Sequence, residues 1–441
     1  MHMSKQKKTR VPTTRIGRLA RLGAAAGELA VGGMTESVRR LARNVPEDAV
    51  NVFLTAANAE KLARRLAGMR GAAMKMGQVL SMEGADILPP EFTRALAILR
   101  DSANTMPESQ VRQVLKREYG ADWEQRFEQF GMEPIAAASI GQVHRATAKD
   151  GRDLALKVQY PGVARSIDSD VDNMAMFMRM ANILPVEIDI DGIVDEAKSQ
   201  LRQEADYLVE AQYLRDYRQL VSADDEYVVP MVHEDLTTRH ILAMDFVHGE
   251  PLEALGEDGV SQETRNRVGS LLERLMFREL FEFHTMQTDP NFANYMYRPE
   301  DGRIVLLDFG STVTFDPAFT EKYRQISRAL IEDDEDSIWR IAEDIGYLHP
   351  DDSPAHAGRI VDLIKVICEP ICEDREYDFA ASNVTSRARD AGMELAWKSQ
   401  GELRTPPPET VFLHRKLVGS FLVCARIRAR LNVQKLILEY L

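Results

Sequence analysis

Residues 287–312, QTDPNFANYMYRPEDGRIVLLDFGST, constrain the fold of this chain more than any other segment. Asn294 follows Asp289 after five residues, and Asp308 opens an Asp-Phe-Gly triplet fourteen residues later. The apolar run RIVLL comes after the turn signal EDG and predicts a strand that delivers Asp308 at its end. Carboxylate and amide oxygens at turns and strand ends are suitable ligands for Mg²⁺. The segment therefore predicts a site for this cation.

The spacing of these three residues is the one that kinases use for phosphoryl transfer. One carboxylate orients the attacking hydroxyl, while an amide and a second carboxylate hold the metal ions that bridge the phosphates. Accordingly, we predict that Asp289 positions the nucleophile and that Asn294 and Asp308 bind Mg²⁺. A single Asp-Phe-Gly or Asp-Pro-Asn occurs by chance in many proteins, so the assignment depends on the order of further motifs.

A loop and a strand lysine precede this segment in the kinase order. Residues 136–143, AAASIGQV, align with the phosphate-covering pattern G-x-G-x-x-G-x-V, but alanine occupies the first two glycine positions. Lys157, sixteen residues after Gly141 in LALKVQ, occupies the position of the lysine that binds the α and β phosphates of ATP. Alternatively, Ala136 and Ala138 only favour a turn or a short helix. The predicted nucleotide contacts are Ala136, Ala137, Ala138, Ser139, Ile140, Gly141, Val143 and Lys157, with Met244, Asp245 and Val247 at the hinge-like linker over 245–250.

Three acidic residues lie in a long helical pattern that fills residues 162–220. On one continuous helix, Asp206 and Glu210 would share a face, whereas Glu204 would point about 120° away from Glu210. A helix-borne glutamate that pairs with Lys157 would hold its ammonium towards the phosphates. We select Glu210 for this role, and Glu204 and Asp206 then need another one. The alternative for any one of the three is a solvated acidic face.

The distribution of helical and strand patterns predicts an α+β fold with two lobes and a cleft between them. A strand-containing lobe, with the hairpin SIGQVHRATA–KDGRD–LALKVQ, is followed by a mostly helical lobe that a loop-and-hairpin block interrupts at 285–315. The predicted organisation is a basic arm over 1–46, a helical extension over 47–131, a strand-containing lobe with a helical insert over 132–250, and a helical lobe over 251–441.

The charge of the chain is unevenly distributed. Residues 1–46 have a formal charge of +8, which leaves −22 for the remainder of a chain whose net charge is −14. In TTRIGRLARLGAAAGELAVG, residues 13–32, basic and apolar residues form adjoining strips on a helix, a pattern typical of binding to an anionic membrane surface. A solvated tail is the alternative. The arm lacks interleaved aromatic residues, so we expect no nucleic-acid binding.

The apolar runs and the cysteines indicate which structural features the sequence does not predict. No run of about 18 uncharged apolar residues occurs, so the sequence predicts no membrane-spanning helix. Cys368, Cys372 and Cys424 are too few for a disulfide framework, and a lone C-x-x-x-C lacks the second ligand pair of a zinc site. We therefore expect reduced thiols.

Four motifs resemble those of the UbiB family of atypical protein-kinase-like proteins, the aarF-domain group, and particularly its coenzyme-Q-type branch. They are KMGQ at 75–78, AAASIGQVH at 136–144, EAD at 204–206 and QTDPNFAN at 287–294. The resemblance runs from about Arg15 to the C-terminal LHRKLVGSFLVCARIRARL. It implies a protein-kinase-like fold whose active site is covered by an N-terminal helical extension that carries the K-x-G-Q motif. Lys75 and Gln78 would lie over the site, and Lys75 would reach Glu204 and Asp206.

The resemblance also implies a function. Members of the family are associated with coenzyme Q or other isoprenoid-lipid metabolism and with ATP hydrolysis tied to membrane lipids. The expected cofactors are ATP and Mg²⁺. The expected partners are an anionic lipid surface and quinone-biosynthesis proteins or a lipid precursor, and a homodimer is compatible with this assignment. The expected location is cytoplasmic, at the periphery of a membrane.

Two features of the sequence disfavour an ordinary protein kinase. Gln287-Thr288-Asp289 lacks the arginine that normally precedes the catalytic aspartate, and no Ala-Pro-Glu follows Asp308. After DFGSTVTFDP, residues 308–317, we expect the chain to enter a helix almost at once, which leaves little chain on which to bind a peptide substrate. A small-molecule or lipid kinase and a nucleotide-gated scaffold for quinone-pathway proteins remain the alternatives to an ATPase.

Overall fold

The computed structural model describes residues 105–180, 190–289, 291–398 and 407–441. They fall into two compact units, of which the first contains the described residues up to Gln212 and Met231–Phe246, and the second contains Tyr213–Pro230 and Val247–Leu441. The second stretch of the second unit begins close to the predicted boundary after residue 250, but residues 213–230 also belong to this unit. The predicted arm over 1–46, the extension up to residue 104 and its Lys75 and Gln78 lie outside the described residues.

Helices and short strands alternate along the chain. The helices are α1 (Glu108–Tyr119), α2 (Val163–Met180), α3 (Ile190–Glu204), α4 (Tyr207–Leu220), α5 (Gln262–Phe281), α6 (Pro317–Glu332), α7 (Glu335–Ile345), α8 (Pro354–Ile367), α9 (Glu369–Cys372), α10 (Val384–Lys398), α11 (Pro408–Arg426) and α12 (Val433–Ile437). The strands are β1 (Phe127–Phe130), β2 (Ala136–Ala137), β3 (Gly141–Ala148), β4 (Asp153–Gln159), β5 (Tyr227–Val228), β6 (Ile241–Asp245), β7 (Glu250–Pro251), β8 (Thr285–Gln287), β9 (Tyr295–Arg298), β10 (Arg303–Leu306), β11 (Thr312–Thr314), β12 (Tyr377–Asp378) and β13 (Arg430–Leu431).

A five-stranded sheet forms the centre of the first unit. Its strands have the order β1–β3–β4–β6, and β2 pairs with the start of β3. The predicted hairpin is confirmed, because β3 and β4 are antiparallel and are joined by the turn over 149–152. Leu154, Leu156 and Val158 of β4 pack into the core with Trp123 and Phe127. Because side chains alternate along a strand, Lys157 lies on the face opposite to this core.

The helical pattern predicted over 162–220 is confirmed for the described residues of this segment, but the assumption that one continuous helix carries Glu204, Asp206 and Glu210 is wrong. The described residues of the segment form the helices α2, α3 and α4, and Ala205 and Asp206 separate α3 from α4. One carboxylate oxygen of Asp206 accepts the backbone N–H of Leu208 at 3.2 Å, which satisfies a free amide at the start of α4. Aspartate favours such helix starts over helix interiors. Glu204 ends α3 and Asp206 precedes α4, so the helical-face argument for Asp206 and Glu210 does not apply.

Residues 285–315 of the second unit form two pairs of short strands, where the sequence predicted a loop-and-hairpin block. Strands β9 and β10 form an antiparallel hairpin within the sheet β5–β10–β9–β7, and β8 pairs antiparallel with β11. Helix α6 begins directly afterwards, where the Asp316 side chain accepts the backbone N–H of Ala318 at 2.7 Å. The prediction that a helix follows the Asp-Phe-Gly segment almost at once is therefore confirmed.

Helices α5 and α11 of the second unit share a buried polar stripe. Their facing pairs are Glu273 with Cys424, Met276 with Ser420 and Glu279 with Lys416, so the two helices run antiparallel. Burial raises the pKa of Glu273 to about 7. Among the described residues, none of the helices has the length and apolar character needed to cross a bilayer.

The raised pKa of Glu273 predicts a pH-dependent stability. A folded-state pKa of about 7 against an ordinary 4.5 means that the folded protein retains a proton that the unfolded chain has lost between these values. The contribution of Glu273 to stability is thus fully present below pH 4.5 and is lost as the pH rises through 7.

We expect Glu273→Gln, which is neutral at all pH values, to be more stable than the parent at pH 8 by up to about 3 kcal/mol. The gain should be much smaller at pH 5. Urea unfolding at both pH values measures the difference, with Glu263→Gln at an exposed position of α5 as the control. A gain that is equal at pH 5 and pH 8 would contradict the assignment.

Candidate functional site

The first unit contains a buried ion pair between Lys157 and Glu210. The Lys157 ammonium lies 2.7 and 3.0 Å from the two Glu210 carboxylate oxygens. Lys157 is 7% exposed and Glu210 is 1% exposed. The lysine is also 5.4 Å from the centre of the Tyr207 ring, at the start of α4. Glu210 is therefore the helix-borne partner of Lys157, as the sequence predicted.

The sheet fixes the position of Lys157 on both sides. The residue pairs with Val143 of β3 and with Leu242 of β6, so its strand lies between two neighbours. A buried ammonium or carboxylate without a partner loses several kcal/mol of solvation, which favours the paired arrangement. The ammonium is consequently held at a defined position next to the loop that β2 and β3 form.

The alanine-rich loop is a strand and turn, and the short helix that was one alternative is absent. Ala136 and Ala137 of β2 pair with Val143 and Gln142 of β3, and the Ala138 amide donates to the Gly141 carbonyl at 2.9 Å. A Cβ at Gly141 would lie 2.6 Å from the carbonyl oxygen of Val158, which excludes a larger residue there. Ile140 is buried, whereas Ala136 and Ala137 are exposed.

Glu204 and Asp206 lie at the junction of α3 and α4. Glu204 accepts a hydrogen bond from the hydroxyl of Ser139 at 3.1 Å, which connects the junction to the alanine-rich loop. Asp206 forms an ion pair with Arg239 at 3.1 Å. The junction thus belongs to the same end of the sheet as the loop, but the contacts predicted with Lys75 involve residues that the structure does not describe.

The three residues predicted to contact the nucleotide at the hinge differ in the groups that they can offer to a ligand. Both carboxylate oxygens of Asp245 are used within the first unit, by the Met231 amide at 3.0 Å and by His233 Nε2 at 2.8 Å. Met244 is buried in β6. A nucleotide contact here would therefore involve the backbone more than the Asp245 side chain. Val247 is half-buried and belongs to the second unit.

The short strands of the second unit bring Asp289, Asn294 and Asp308 together. Pairing of β9 with β10 places Asn294 beside Leu307, whose amide donates to the Asn294 carbonyl at 3.0 Å. The pairing of β8 with β11 extends one residue beyond β8, because the Thr288 amide donates to the Ser311 carbonyl at 2.8 Å. The chain segments that contain the three predicted residues are thus joined directly to one another.

Hydrogen bonds also fix the backbone at Asp289. Its carbonyl oxygen accepts the Asn294 side-chain N–H at 2.9 Å and the Gln287 side-chain N–H at 2.8 Å. Asn294 uses its amide nitrogen in this contact, so its side-chain oxygen is the atom that can bind a cation. One Asp308 carboxylate oxygen accepts the Gly310 amide at 3.0 Å.

The donor set fits Mg²⁺. An amide oxygen and a carboxylate are hard ligands, and Mg²⁺ is commonly bound by one or two carboxylates together with substrate phosphates. Within the described ranges, no cluster of three or more His, Cys, Asp or Glu side chains could hold a metal ion by itself. The chemistry of Asn294 and Asp308 therefore favours a cation that is shared with a phosphate ligand.

Three residues that support the segment before Asp289 were not predicted from the sequence. Glu279, Arg415 and Lys416 contact the two residues that precede Asp289, either directly or through one intermediate. Lys416 is 3% exposed and Glu279 is 0% exposed. A signal was present in HRKLVGSFLV, where adjacent cations interrupt an apolar helical pattern, but the sequence does not show which loop they contact.

Comparison with known proteins identifies clear relatives. Residues 98–342 match the ABC1 atypical kinase-like domain. The chain is 36% identical to "Atypical kinase COQ8B, mitochondrial" of Rattus norvegicus, over 98% of this chain and 81% of the relative. It is 35% identical to "Atypical kinase COQ8, mitochondrial" of Schizosaccharomyces pombe, over 97% of this chain and 70% of the relative.

A solved structure is also similar. It is that of Rv3197 of Mycobacterium tuberculosis in complex with erythromycin, with 26% sequence identity and a TM-score of 0.61 over 87% of this chain and 96% of that one. Together, these comparisons confirm the predicted kinase-like fold and the predicted resemblance. The K-x-G-Q extension was also predicted, but its motif lies outside the described residues.

The Lys157–Glu210 pair predicts strong thermodynamic coupling. We expect Lys157→Met or Glu210→Met alone to lower the free energy of unfolding by about 3–5 kcal/mol, because each leaves one buried charge without its partner. The double variant should lose much less free energy of unfolding than the two single variants lose together, since no charge then remains buried. Urea unfolding of the four proteins measures the coupling.

The exposed pair Arg145–Asp153 on the same hairpin is the matched control. Its double-mutant cycle should give less than about 1 kcal/mol, because solvent screens both charges. Additive losses for Lys157 and Glu210 would show that the buried pair is not energetically coupled.

Proposed function

The chain belongs to the family of ABC1 atypical kinase-like domains, and we propose that it binds Mg-ATP and acts as an ATPase in ubiquinone or isoprenoid-lipid biosynthesis at a membrane surface. It is a kinase-like enzyme of the UbiB and aarF group. The nucleotide, the metal ion, the pathway and the membrane are the proposed elements.

The buried Lys157–Glu210 pair is the observation that carries the proposal. Kinases require a lysine whose ammonium is oriented by a helix glutamate, because a free lysine side chain has many rotamers and would bind the phosphates weakly. The two hydrogen bonds from Lys157 to Glu210 supply that orientation. A purely structural role would not need a charged pair at this position, since apolar residues would pack there without a solvation cost.

Each residue of the site has a proposed role. Lys157 binds the α and β phosphates and Glu210 orients it. Asp289 positions the nucleophile, and Asn294 and Asp308 hold Mg²⁺, which neutralises phosphate charge when it is bound. The nucleotide contacts are the loop residues and hinge residues predicted above: Ala136, Ala137, Ala138, Ser139, Ile140, Gly141, Val143, Met244, Asp245 and Val247.

Water is the proposed phosphoryl acceptor. Helix α6 begins at Pro317, nine residues after Asp308, which leaves little chain to form the peptide-binding segment of a protein kinase. Release of phosphate from ATP without any added acceptor would favour hydrolysis over a strict small-molecule or lipid kinase. Nucleotide binding without turnover would favour the nucleotide-gated scaffold.

Glu204 and Asp206 have a proposed role with the K-x-G-Q motif. Lys75 would pair with these carboxylates and Gln78 would lie beside it, so that the extension covers the site. The observed contact of Glu204 with Ser139 supports this proposal, because it connects the acidic junction to the nucleotide loop.

The pathway and the location rest on the relatives and on the basic arm. The names COQ8 and COQ8B favour a role in coenzyme Q biosynthesis, and both of those proteins are named as mitochondrial. For this chain we propose peripheral binding to an anionic membrane surface, with a quinone-biosynthesis protein or a lipid precursor as the partner. The positive charge of residues 1–46 supports this location.

Asp308→Asn should remove metal-dependent nucleotide binding. The substitution takes away a carboxylate ligand of the proposed Mg²⁺ site and thus the charge that holds the ion near the phosphates. Thermal-shift titration should show that ATP stabilises the parent when Mg²⁺ is present and stabilises the variant little. Asp316→Asn is the matched control, because asparagine also caps a helix. Equal ATP-dependent shifts in the parent and Asp308→Asn would refute the metal assignment.

Loss of the basic arm should weaken membrane binding. Deletion of residues 1–33 removes seven Lys and Arg residues, and about 1 kcal/mol is expected for each cation near an anionic surface before screening by salt. Co-sedimentation with phosphatidylserine-containing vesicles at two salt concentrations measures the effect. The full-length variant Arg15→Gln/Arg18→Gln/Arg21→Gln tests charge alone. Undiminished binding by both proteins would identify the arm as a solvated tail.

A further inference from the structure

Two adjacent cations on α11 support the segment that leads into Asp289, Arg415 by direct contact and Lys416 through Glu279. Arg415 is half-buried and Lys416 is buried, and both belong to the second unit together with the catalytic loop. Their contacts end on Thr288 and Gln287, the two residues immediately before Asp289. Neither cation is part of the motifs that identify the site.

Arg415 holds Thr288 at two points. Its Nε donates to the Thr288 carbonyl oxygen at 2.5 Å, and one of its terminal nitrogens donates to the Thr288 hydroxyl at 2.9 Å. The same hydroxyl donates to the Ser311 carbonyl at 2.8 Å. Thr288 is fully buried. The planar guanidinium therefore fixes both the position and the rotation of the peptide unit that joins Thr288 to Asp289.

Lys416 supports the preceding residue through Glu279. The ammonium lies 2.9 Å from one Glu279 oxygen and 3.2 Å from the Tyr295 hydroxyl. The other Glu279 oxygen accepts the Gln287 amide at 3.0 Å and the Tyr217 hydroxyl at 2.7 Å. Burial alone would lower the pKa of Lys416, but the Glu279 carboxylate raises it above its ordinary value. Lys416 is therefore charged at neutral pH.

We propose that Arg415 is a positioning residue for Asp289. In protein kinases, the residue before the catalytic aspartate is an arginine that reads a phosphate on the activation loop. Here, Thr288 occupies that position, and the guanidinium comes from a helix 127 residues away. The contact needs no phosphate, so the loop has its working geometry without prior phosphorylation. This inference rests on the proposed ATPase function, because Asp289 is its target.

The test compares Arg415→Ala and Arg415→Lys with the parent as full-length proteins. Steady-state ATPase measurements should show that Arg415→Ala lowers kcat on the order of 10²-fold, because misplacement of a reacting group by about 1 Å has this effect. The affinity for Mg-ATP, measured by titration, should change little. Arg415→Lys should give an intermediate kcat, since one ammonium cannot replace both of the guanidinium N–H groups that donate to Thr288.

Two further measurements separate positioning from general destabilisation. Added methylguanidinium should restore part of the kcat of Arg415→Ala, whereas a structural defect would not respond. The matched control is Arg274→Ala. Arg274 lies on α5 and forms an exposed ion pair with Glu439, and its removal should leave the parent kcat unchanged. Parent-like kcat in Arg415→Ala, or parallel losses of kcat and nucleotide affinity without rescue, would overturn the proposal.

Hydrogen exchange distinguishes this inference from the proposed function. The Thr288 amide donates to Ser311, so its exchange reports the order of the loop without any turnover. Faster exchange at Thr288 in Arg415→Ala, but not in Arg274→Ala, supports positioning even if the parent hydrolyses no ATP, in which case the ATPase proposal alone fails. Unchanged exchange at Thr288 would overturn the role of Arg415.

Discussion

The requirement that a buried charge must have a partner restricts the packing inside each of the two units. Lys157 and Lys416 are the buried lysines in the part of the chain that the structure describes, and each contacts a buried glutamate on a helix. Desolvation of an ammonium costs several kcal/mol, so these pairs persist only where a strand and a helix, for Lys157, or two helices, for Lys416, hold both groups at hydrogen-bond distance. The packing around Lys157 is thereby restricted to one register, because a shift by one residue along β4 would move Lys157 to the other face of the sheet.

The two pairs have different proposed roles. Lys157 is itself the group that we expect to contact a ligand, and Glu210 orients it. Lys416 acts indirectly, since its partner Glu279 accepts the backbone N–H of Gln287. The first pair therefore presents a charge to a ligand, whereas the second uses its charges to build a rigid support. A stiff support reduces the reorganisation needed when charge develops during phosphoryl transfer.

The sequence was sufficient to predict the features that depend on local signals. Turn residues flank the β3–β4 hairpin, and the Asp-Phe-Gly segment follows an apolar strand, so their places could be predicted from periodicity. The break at Asp206 was missed because capping of α4 by one carboxylate outweighs a continuous helical pattern. The contact of Arg415 with Thr288 could not be predicted, since it depends on tertiary packing between residues 127 positions apart.

The conformation of the alanine-rich loop explains why alanine can occupy two positions at which the kinase pattern has glycine. Glycine is required where φ is positive or where a Cβ would collide. Among the described residues, the non-glycine residues with positive φ are His284, Asp333 and Arg428, and none of them lies in the loop. Ala136 and Ala138 therefore fit without backbone strain, and only Gly141 is constrained, by the Val158 carbonyl. Because alanine has fewer accessible backbone conformations than glycine, the substitution keeps the turn and reduces the alternatives that a glycine loop would sample.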